Sequence, residues 1–435
     1  MPRRTPWDNG SASHLGNVKQ DLEAQLAGNV AQRVARESYG KLIAILAKRT
    51  RDVASAEDYL AEAFTAALES WPLAKIPDNP EAWLIAVAKR KHLDGLRQTQ
   101  TRSDAVLHLQ LLSEEIEAMR SHQKNFADDR LALMFACAHP AIDVDIRTPL
   151  ILQTVLGMTA EQIAAAFLVA PATMGQRLAR AKAKIKLAGI PFHLPDADQL
   201  EERLAAVLDA IYAMFNQGWA NYEAAENTLV DEAQWFSSLV VELQPEQAEA
   251  LGLSALMLFL QSRFHARRSA TGAFVPLAQQ DMSLWDEKKI FQAEQLLHKA
   301  SSMNQIGRFQ LEAAIQSVHA ARRFTIVTDW HAINQIYSAL FQLTHSPVVK
   351  LNWAYAIGED EGWHAGLSAL PQLKEFPELA TYQPYFAVRA ALREKIGHYV
   401  AAVEDYDTAF TLEHDGAVRS FLAHKRSQLS AKILQ

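Results

Sequence analysis

Apolar residues along most of this chain recur at three- and four-residue spacing, the signature of helices that bury one face. Between 34 and 71 the positions Leu42, Ile43, Ile45, Leu46, Val53, Leu60, Phe64, Ala67 and Leu68 predict two amphipathic helices broken near 50–55. Trp71-Pro72 is expected to end the second. Pro77-Asp78-Asn79-Pro80 forms a turn cluster, and 81–96 restarts a helix with Trp83, Leu84, Val87, Ala88 and Leu93 inward. The polar stretch 98–129 reads as a linker with a weaker helical pattern around 107–119, and a second compact segment follows at 131–190. Beyond the Pro-bounded 191–195, helices are predicted at 200–215, 229–243, 245–263, 287–299, 309–322, 329–344 and 347–356. No segment alternates with the period of a strand, so the expected class is all-α.

Composition fits that class. The chain has 435 residues, 49% of them hydrophobic, with few glycines and prolines for its length. The single cysteine, Cys137, can form neither an internal disulfide nor a multi-cysteine zinc site, which points to a reducing, cytoplasmic compartment. The strongest apolar run, 253–260, is too short for a membrane span, and the first 25 residues lack the apolar core of a secretory signal.

The net charge of −7 taken alone argues against a nucleic-acid partner. Divided at Phe192, however, the chain carries 24 Lys and Arg against 21 Asp and Glu before that point, and 19 against 29 after it. A slightly basic amino-terminal part is joined to a strongly acidic extension. The basic residues gather in two helical stretches, from Lys89 to Arg102 and from Arg177 to Lys186.

The second stretch has the pattern of a helix-turn-helix. Leu150, Ile151, Leu152 and Val155 predict a helix ending at Gly157; Thr159 with Gln162 forms a capping box for a short helix to Phe167; Pro171 opens a third at its N1 position. Thr173, Gln176, Arg177 and Arg180 then share one side of that helix, with Leu178 and Ile185 on the other. A helix in the major groove would bring such residues to base edges while flanking cations meet phosphates. On this segment alone, a solvated face on an ordinary helical hairpin accounts for the pattern equally well.

The wider chain resembles a known family. Ser55-Ala56-Glu57-Asp58 with Glu62 and Phe64, then Pro77 to Leu84 followed by Ala88-Lys89, Asp94 and Arg97, then Gly157-Met158-Thr159, Glu161, Ile163-Ala164, Thr173, Arg177-Leu178 and Arg180-Ala181 stand in the order found in sigma factors of bacterial RNA polymerase. The resemblance is to the compact extracytoplasmic-function type that keeps only domains two and four. It implies core polymerase binding by Glu57, Asp58, Glu62 and Phe64. It implies contact with the minus-ten promoter element by Asp78, Asn79, Trp83, Lys89, Arg90, Lys91 and Arg97. Contact with the minus-thirty-five element falls to Thr173, Gln176, Arg177, Arg180 and Lys182. Departures occur at Arg90, where the family usually has Asn, and at Ile85, Leu168, Ala170 and Gly175.

Simpler readings stand beside several of these roles. Trp83 also fits a core residue that shapes the site, Asp78-Asn79 an ordinary capping turn, and the like-charged pair Asp58 and Glu62 a solvated acidic face.

The acidic part resembles the extension carried by one branch of these factors, built of tetratricopeptide-like helices. Phe215 to Trp219, Phe309 to Gln316, Asp329-Trp330, Ser346 to Val349 and Tyr382 to Tyr385 carry that likeness, and Gly397, Val400, Tyr406 and Ala409 fall at repeat-like spacing. The expected organisation is a flexible lead-in at 1–28, domain two at 29–100, a linker at 101–128, domain four at 129–190, a helical connecting domain at 191–285 and a repeat-like α-solenoid at 286–435. Trp330, Trp353, Trp363, Tyr382 and Tyr385 suit either a concave contact surface or interhelix core.

The expected partners are core RNA polymerase and promoter DNA, with a protein regulator or an intramolecular contact engaging the extension, and no membrane. No catalytic residue, metal or cofactor is expected. HExxH, a Gly-rich phosphate loop and a nucleophile elbow are absent, and His265, His298, His319 and His331 lack ligand spacing. The competing readings are a helical scaffold, or an enzyme using the extension, with a vestigial DNA-binding half.

Overall fold

The computed structural model describes residues 11–97, 125–167, 169–220 and 228–433. Among them the secondary structure is helical apart from one isolated antiparallel bridge between Arg268 and Phe274, so the all-α class holds. The chain forms two compact units, Met1–Met214 and Phe215–Gln435.

The first unit opens with α1 (Ser11–Thr50), α2 (Val53–Ala74) and α3 (Pro80–Arg97). The break expected near 50–55 is a tight turn in which Arg51 takes φ +53° and Asp52 caps α2, accepting from the Ala54 N–H at 3.1 Å. Trp71-Pro72 does not end α2, which runs on to Ala74 with the Trp71 ring buried; a proline this late removes only one backbone bond. Residues 11–28, expected as a flexible lead-in, belong to α1, and Ala27 is fully buried. Ser38 and Lys41 of α1 both donate to Glu81 of α3, at 2.5 and 2.6 Å, fixing the bundle. Burial would raise the Glu81 carboxyl, but these two donors hold it below its usual value.

Then follow α4 (Asn125–Cys137), α5 (Val144–Leu156), α6 (Ala160–Ala166), α7 (Pro171–Ala188) and α8 (Ala197–Ala220). Leu42, Leu46, Leu131, Phe135, Leu150 and Ile151 are core residues of this unit. Each such side chain withdrawn from water contributes about 1.5–3 kcal/mol. The first part of α8 belongs here as well: Thr148 donates to the Ala206 carbonyl and Arg203 to that of Phe135. The boundary anticipated at 191 therefore lies inside the first unit, and the division falls within α8. Most of the linker expected at 101–128, including the helical pattern around 107–119, lies outside the described residues.

The second unit continues with α9 (Thr228–Leu243) and α10 (Ala248–Ser262), the latter being the apolar run noted in the sequence and buried on nearly every side. After an irregular stretch come α11 (Glu287–Ser302), α12 (Arg308–Thr325), α13 (Trp330–Thr344), α14 (Pro347–Asp360) and α15 (Trp363–Ala369). The chain ends with α16 (Gln383–Lys395), α17 (Tyr399–Leu412) and α18 (Gly416–Ile433). Ile315, Ile333 and Leu340 join α12 to α13, while Tyr385, Tyr406 and Leu429 join the last three helices. Of the repeat-like positions, Tyr406 and Ala409 are buried, Gly397 takes φ +82° at a turn, and Val400 is exposed.

Candidate nucleic-acid interface

The helix-turn-helix pattern is met by α6 and α7. Thr159 accepts from Gln162 N–H at 3.2 Å while the Gln162 side chain accepts from Thr159 N–H at 2.9 Å, a complete capping box. Gly157 ends α5 in the left-handed conformation at φ +65°, against the Tyr39 ring. In α7, Met174, Leu178, Ala181 and Ile185 face the core, which leaves Thr173, Gln176, Arg177 and Arg180 together on the exposed side. Arg177 and Arg180 line a cleft of about 240 Å³ opposite Asp143 and Asp145 at the start of α5, and Lys184 lies 3.4 Å from Asp143.

Lys182 behaves differently from its neighbours. It is half-buried and donates to Glu57 of α2 at 2.5 Å, and one turn later Lys186 reaches Asp52 at 2.6 Å. Burial raises the Glu57 carboxyl despite Lys182, and the nearby Asp58 and Asp52 carboxylates add to the shift. For Asp52, burial is outweighed by donors from Lys186 and Ser55, which leave its carboxyl below the ordinary value. The Asp52 hydrogen bond raises the Lys186 ammonium in turn.

These pairs belong to a wider contact between the two modules read from the sequence. Gly40 of α1 lies so close to α5 that a Cβ there would sit 2.0 Å from the Val155 carbonyl oxygen. Lys48 of α1 also meets Asp129 of α4 at 2.6 Å.

Among the residues anticipated for polymerase docking, Asp58 and Glu62 are exposed, Phe64 is half-buried and Glu57 is held by Lys182. Glu62 in turn forms an ion pair with Lys91 of α3 at 3.2 Å, so another residue assigned to polymerase meets one assigned to DNA.

At the other end of α3, Asp78 and Asn79 are exposed, and Asn79 Oδ1 accepts from the Ala82 N–H at 3.0 Å, the geometry of a capping turn. Trp83 is half-buried with its ring edge-on to Trp71 at 5.5 Å, which makes it a packing residue at the rim of the bundle. Arg90 is exposed. Lys89 is only 5% exposed and has its own partner, so it does not lie open to a strand here. The Arg97 side chain lies outside the described residues.

In the second unit none of the five aromatics proposed for a contact surface is exposed. Trp353 donates to Asn334 at 2.6 Å, Trp330 meets His319 and Tyr355 edge-on, and Tyr385 is core. Interhelix packing is therefore the reading the structure favours. Among the described residues no three His, Cys, Asp or Glu side chains gather as a metal site. Cys137 is buried against the Thr154 hydroxyl, and burial pushes its thiol up to about 12.

Sequence reading left Asp52, Lys186 and Gly40 without roles. Lys186 stood within the basic stretch and Asp52 within the helix break, but neither signal named a partner.

Residues 34–102 match the family model for sigma-70 region 2, and residues 203–301 match a family of unknown function, DUF6596. The chain is also 38% identical over 390 residues to the uncharacterized protein R00370 of Rhizobium meliloti (strain 1021), an alignment covering 88% of this chain and 92% of that relative. No solved structure matches it.

Proposed function

We propose that this chain, which belongs to the same family as the rhizobial protein R00370 and carries a match to sigma-70 region 2 over 34–102, is a promoter-specificity factor of bacterial RNA polymerase. The observation that carries this reading is the coincidence of that match with α1 to α3, in one compact unit with a capped helix-turn-helix whose open face holds Thr173, Gln176, Arg177 and Arg180. The finer assignment is to the extracytoplasmic-function type with a helical extension. It acts by binding and has no catalysis of its own.

In this proposal Asp58, Glu62 and Phe64 dock on polymerase, α3 holds the opened minus-ten strand, and α7 enters the major groove at the minus-thirty-five element. Glu57 and Lys182 are committed to each other in the form described, so full engagement of both partners requires the contact between α2 and α7 to part. The α-helical second unit serves as the regulatory extension, and its repeat-like helices bind a protein partner or control the opening.

Run-off transcription with purified core polymerase and the full chain tests the assignment. Initiation from a cognate promoter that core polymerase alone ignores supports it. Failure to direct initiation from any promoter, together with no association with core polymerase, overturns it.

A further inference from the structure

The second unit contains a buried guanidinium, Arg263, with that of Arg322 beside it, which DNA reading and polymerase docking leave unused. Arg263, at the C-terminal end of α10, is only 7% exposed. Its Nη2 donates to Gln316 Oε1 of α12 at 2.5 Å, while its Nη1 is buried with no acceptor. The Arg263 guanidinium lies 5.9 Å from the centre of the Trp285 ring, and that of Arg322 lies 5.6 Å from the same ring. Arg322 also donates to the Leu277 carbonyl at 3.1 Å. His319, three residues before Arg322 on α12, buries an Nδ1 without a partner, and the buried Trp285 Nε1 likewise has none.

Among the described residues no carboxylate pairs with Arg263, Arg322 or His319. The contrast is local, because Arg323 next in the chain has Glu294 at 3.3 Å. Taking a guanidinium out of water without an opposite charge is costly, and gathering a second one beside it adds repulsion. Burial, then Arg322 and Arg267, push the Arg263 guanidinium down to about 10; burial, then Arg263 and Arg322, push His319 down to about 3. The indole face of Trp285 offsets part of this cost. A negative partner would offset the rest, satisfy the open Nη1 and find further donors in place. Arg322 is partly exposed, so a solute anion meets it first.

We propose that Arg263 and Arg322, with His319 and the Trp285 indole N–H beside them, form a receptor for an oxyanion, the carboxylate or phosphate group of a small solute. The planar guanidinium fork matches either group through paired hydrogen bonds. The site is independent of the sigma-factor reading, since it rests on the second unit alone, and it offers that unit a chemical input.

The test is thermal unfolding of the full chain in potassium phosphate and in potassium succinate, each compared with potassium chloride at equal pH and ionic strength. A ligand that binds only the folded state raises the midpoint with the logarithm of its concentration. The expected result is such a rise in at least one of the two anions, and the anion that gives it assigns the ligand class. Arg322→Gln should lose the rise, measured against its own midpoint in chloride. The double variant Arg177→Gln and Arg180→Gln, which removes the exposed arginines of α7, should keep it. If Arg322→Gln does not fold, His319→Gln is measured in its place and should require a several-fold higher anion concentration for the same rise. Midpoints equal in all three salts, or a rise unchanged in the folded variant, would overturn the proposal.

Discussion

Lys182 of α7 and Glu57 of α2 stand 125 positions apart in sequence and meet across 2.5 Å, with side chains 12% and 20% exposed. One is expected to face promoter DNA and the other polymerase. Their pairing means that a single half-buried contact, little screened by salt, occupies both surfaces at once.

Reversing one charge should therefore open the first unit. Glu57→Lys places like charges in the same gap, and the free protein should bind promoter duplex several-fold more tightly than the parent as α7 is released. Fluorescence anisotropy with labelled duplex measures this. Affinity equal to that of the parent chain would mean that the contact does not restrain α7.

The close crossing at Gly40 gives an independent handle on the same contact. A Cβ there would meet the Val155 carbonyl at 2.0 Å, so Gly40→Val must push α1 and α5 apart. Overpacking of this kind costs about 1–3 kcal/mol. Urea unfolding of the first unit should show that loss, whereas Gly28→Ala, with nothing within 4 Å, should not destabilise it.

On the open face of α7, Arg177→Ala and Arg180→Ala should each weaken promoter binding and lower the slope of log affinity against log salt by roughly one. Titrations at several potassium chloride concentrations read the slope. An unchanged slope would remove these two residues from the phosphate contacts.

Acid should destabilise the first unit through specific carboxylates. Glu81 and Asp52 are held below their ordinary values of 4.5 and 3.8, so the stability they contribute is present above those values and is lost as pH falls through the lower folded ones. Glu57 works in the opposite sense: its raised carboxyl favours the protonated form, so its ionisation costs stability as pH rises. Glu81→Gln should flatten the acid limb of the stability curve, measured by urea unfolding between pH 6 and 3 on the order of the carboxylate range.

In the second unit Asp405 is buried and accepts from Arg389 at 2.6 Å and from Arg393 at 2.8 Å. Asp405→Ala strands two guanidiniums and should cost about 3–5 kcal/mol. Calorimetry should show a correspondingly lower unfolding midpoint, with run-off initiation lost only if the extension is needed for it.

Much of the architecture was legible from local signals, because helices are set by interactions within a few residues. The break at Asp52, the Thr159–Gln162 box, the Pro171 start and the Gly157 stop all follow from side chains and backbone three or four positions apart. The exposed row Thr173, Gln176, Arg177 and Arg180 follows from the helical period in the same way. The likeness to sigma-70 region 2 was legible too, since its motifs lie in continuous segments.

Other features were decided only when distant segments packed. Nothing in the basic stretch distinguishes Lys182 and Lys186 from Arg177 and Arg180; the position of α2 draws Lys182 into a half-buried pair with Glu57 and brings the buried Asp52 within reach of the exposed Lys186. Gly40 reads as a mild helix weakness until Val155 arrives against it. The residues around Trp285 come from α10, α12 and the irregular stretch between α10 and α11, and their shared lack of a negative partner exists only in three dimensions. Sequence by itself determined the helices and which face of each is apolar, because those depend on spacing along one chain. Tertiary structure decided which charges neutralise one another and which stay open, because electrostatic pairing depends on distance and burial, and neither is encoded at any single position.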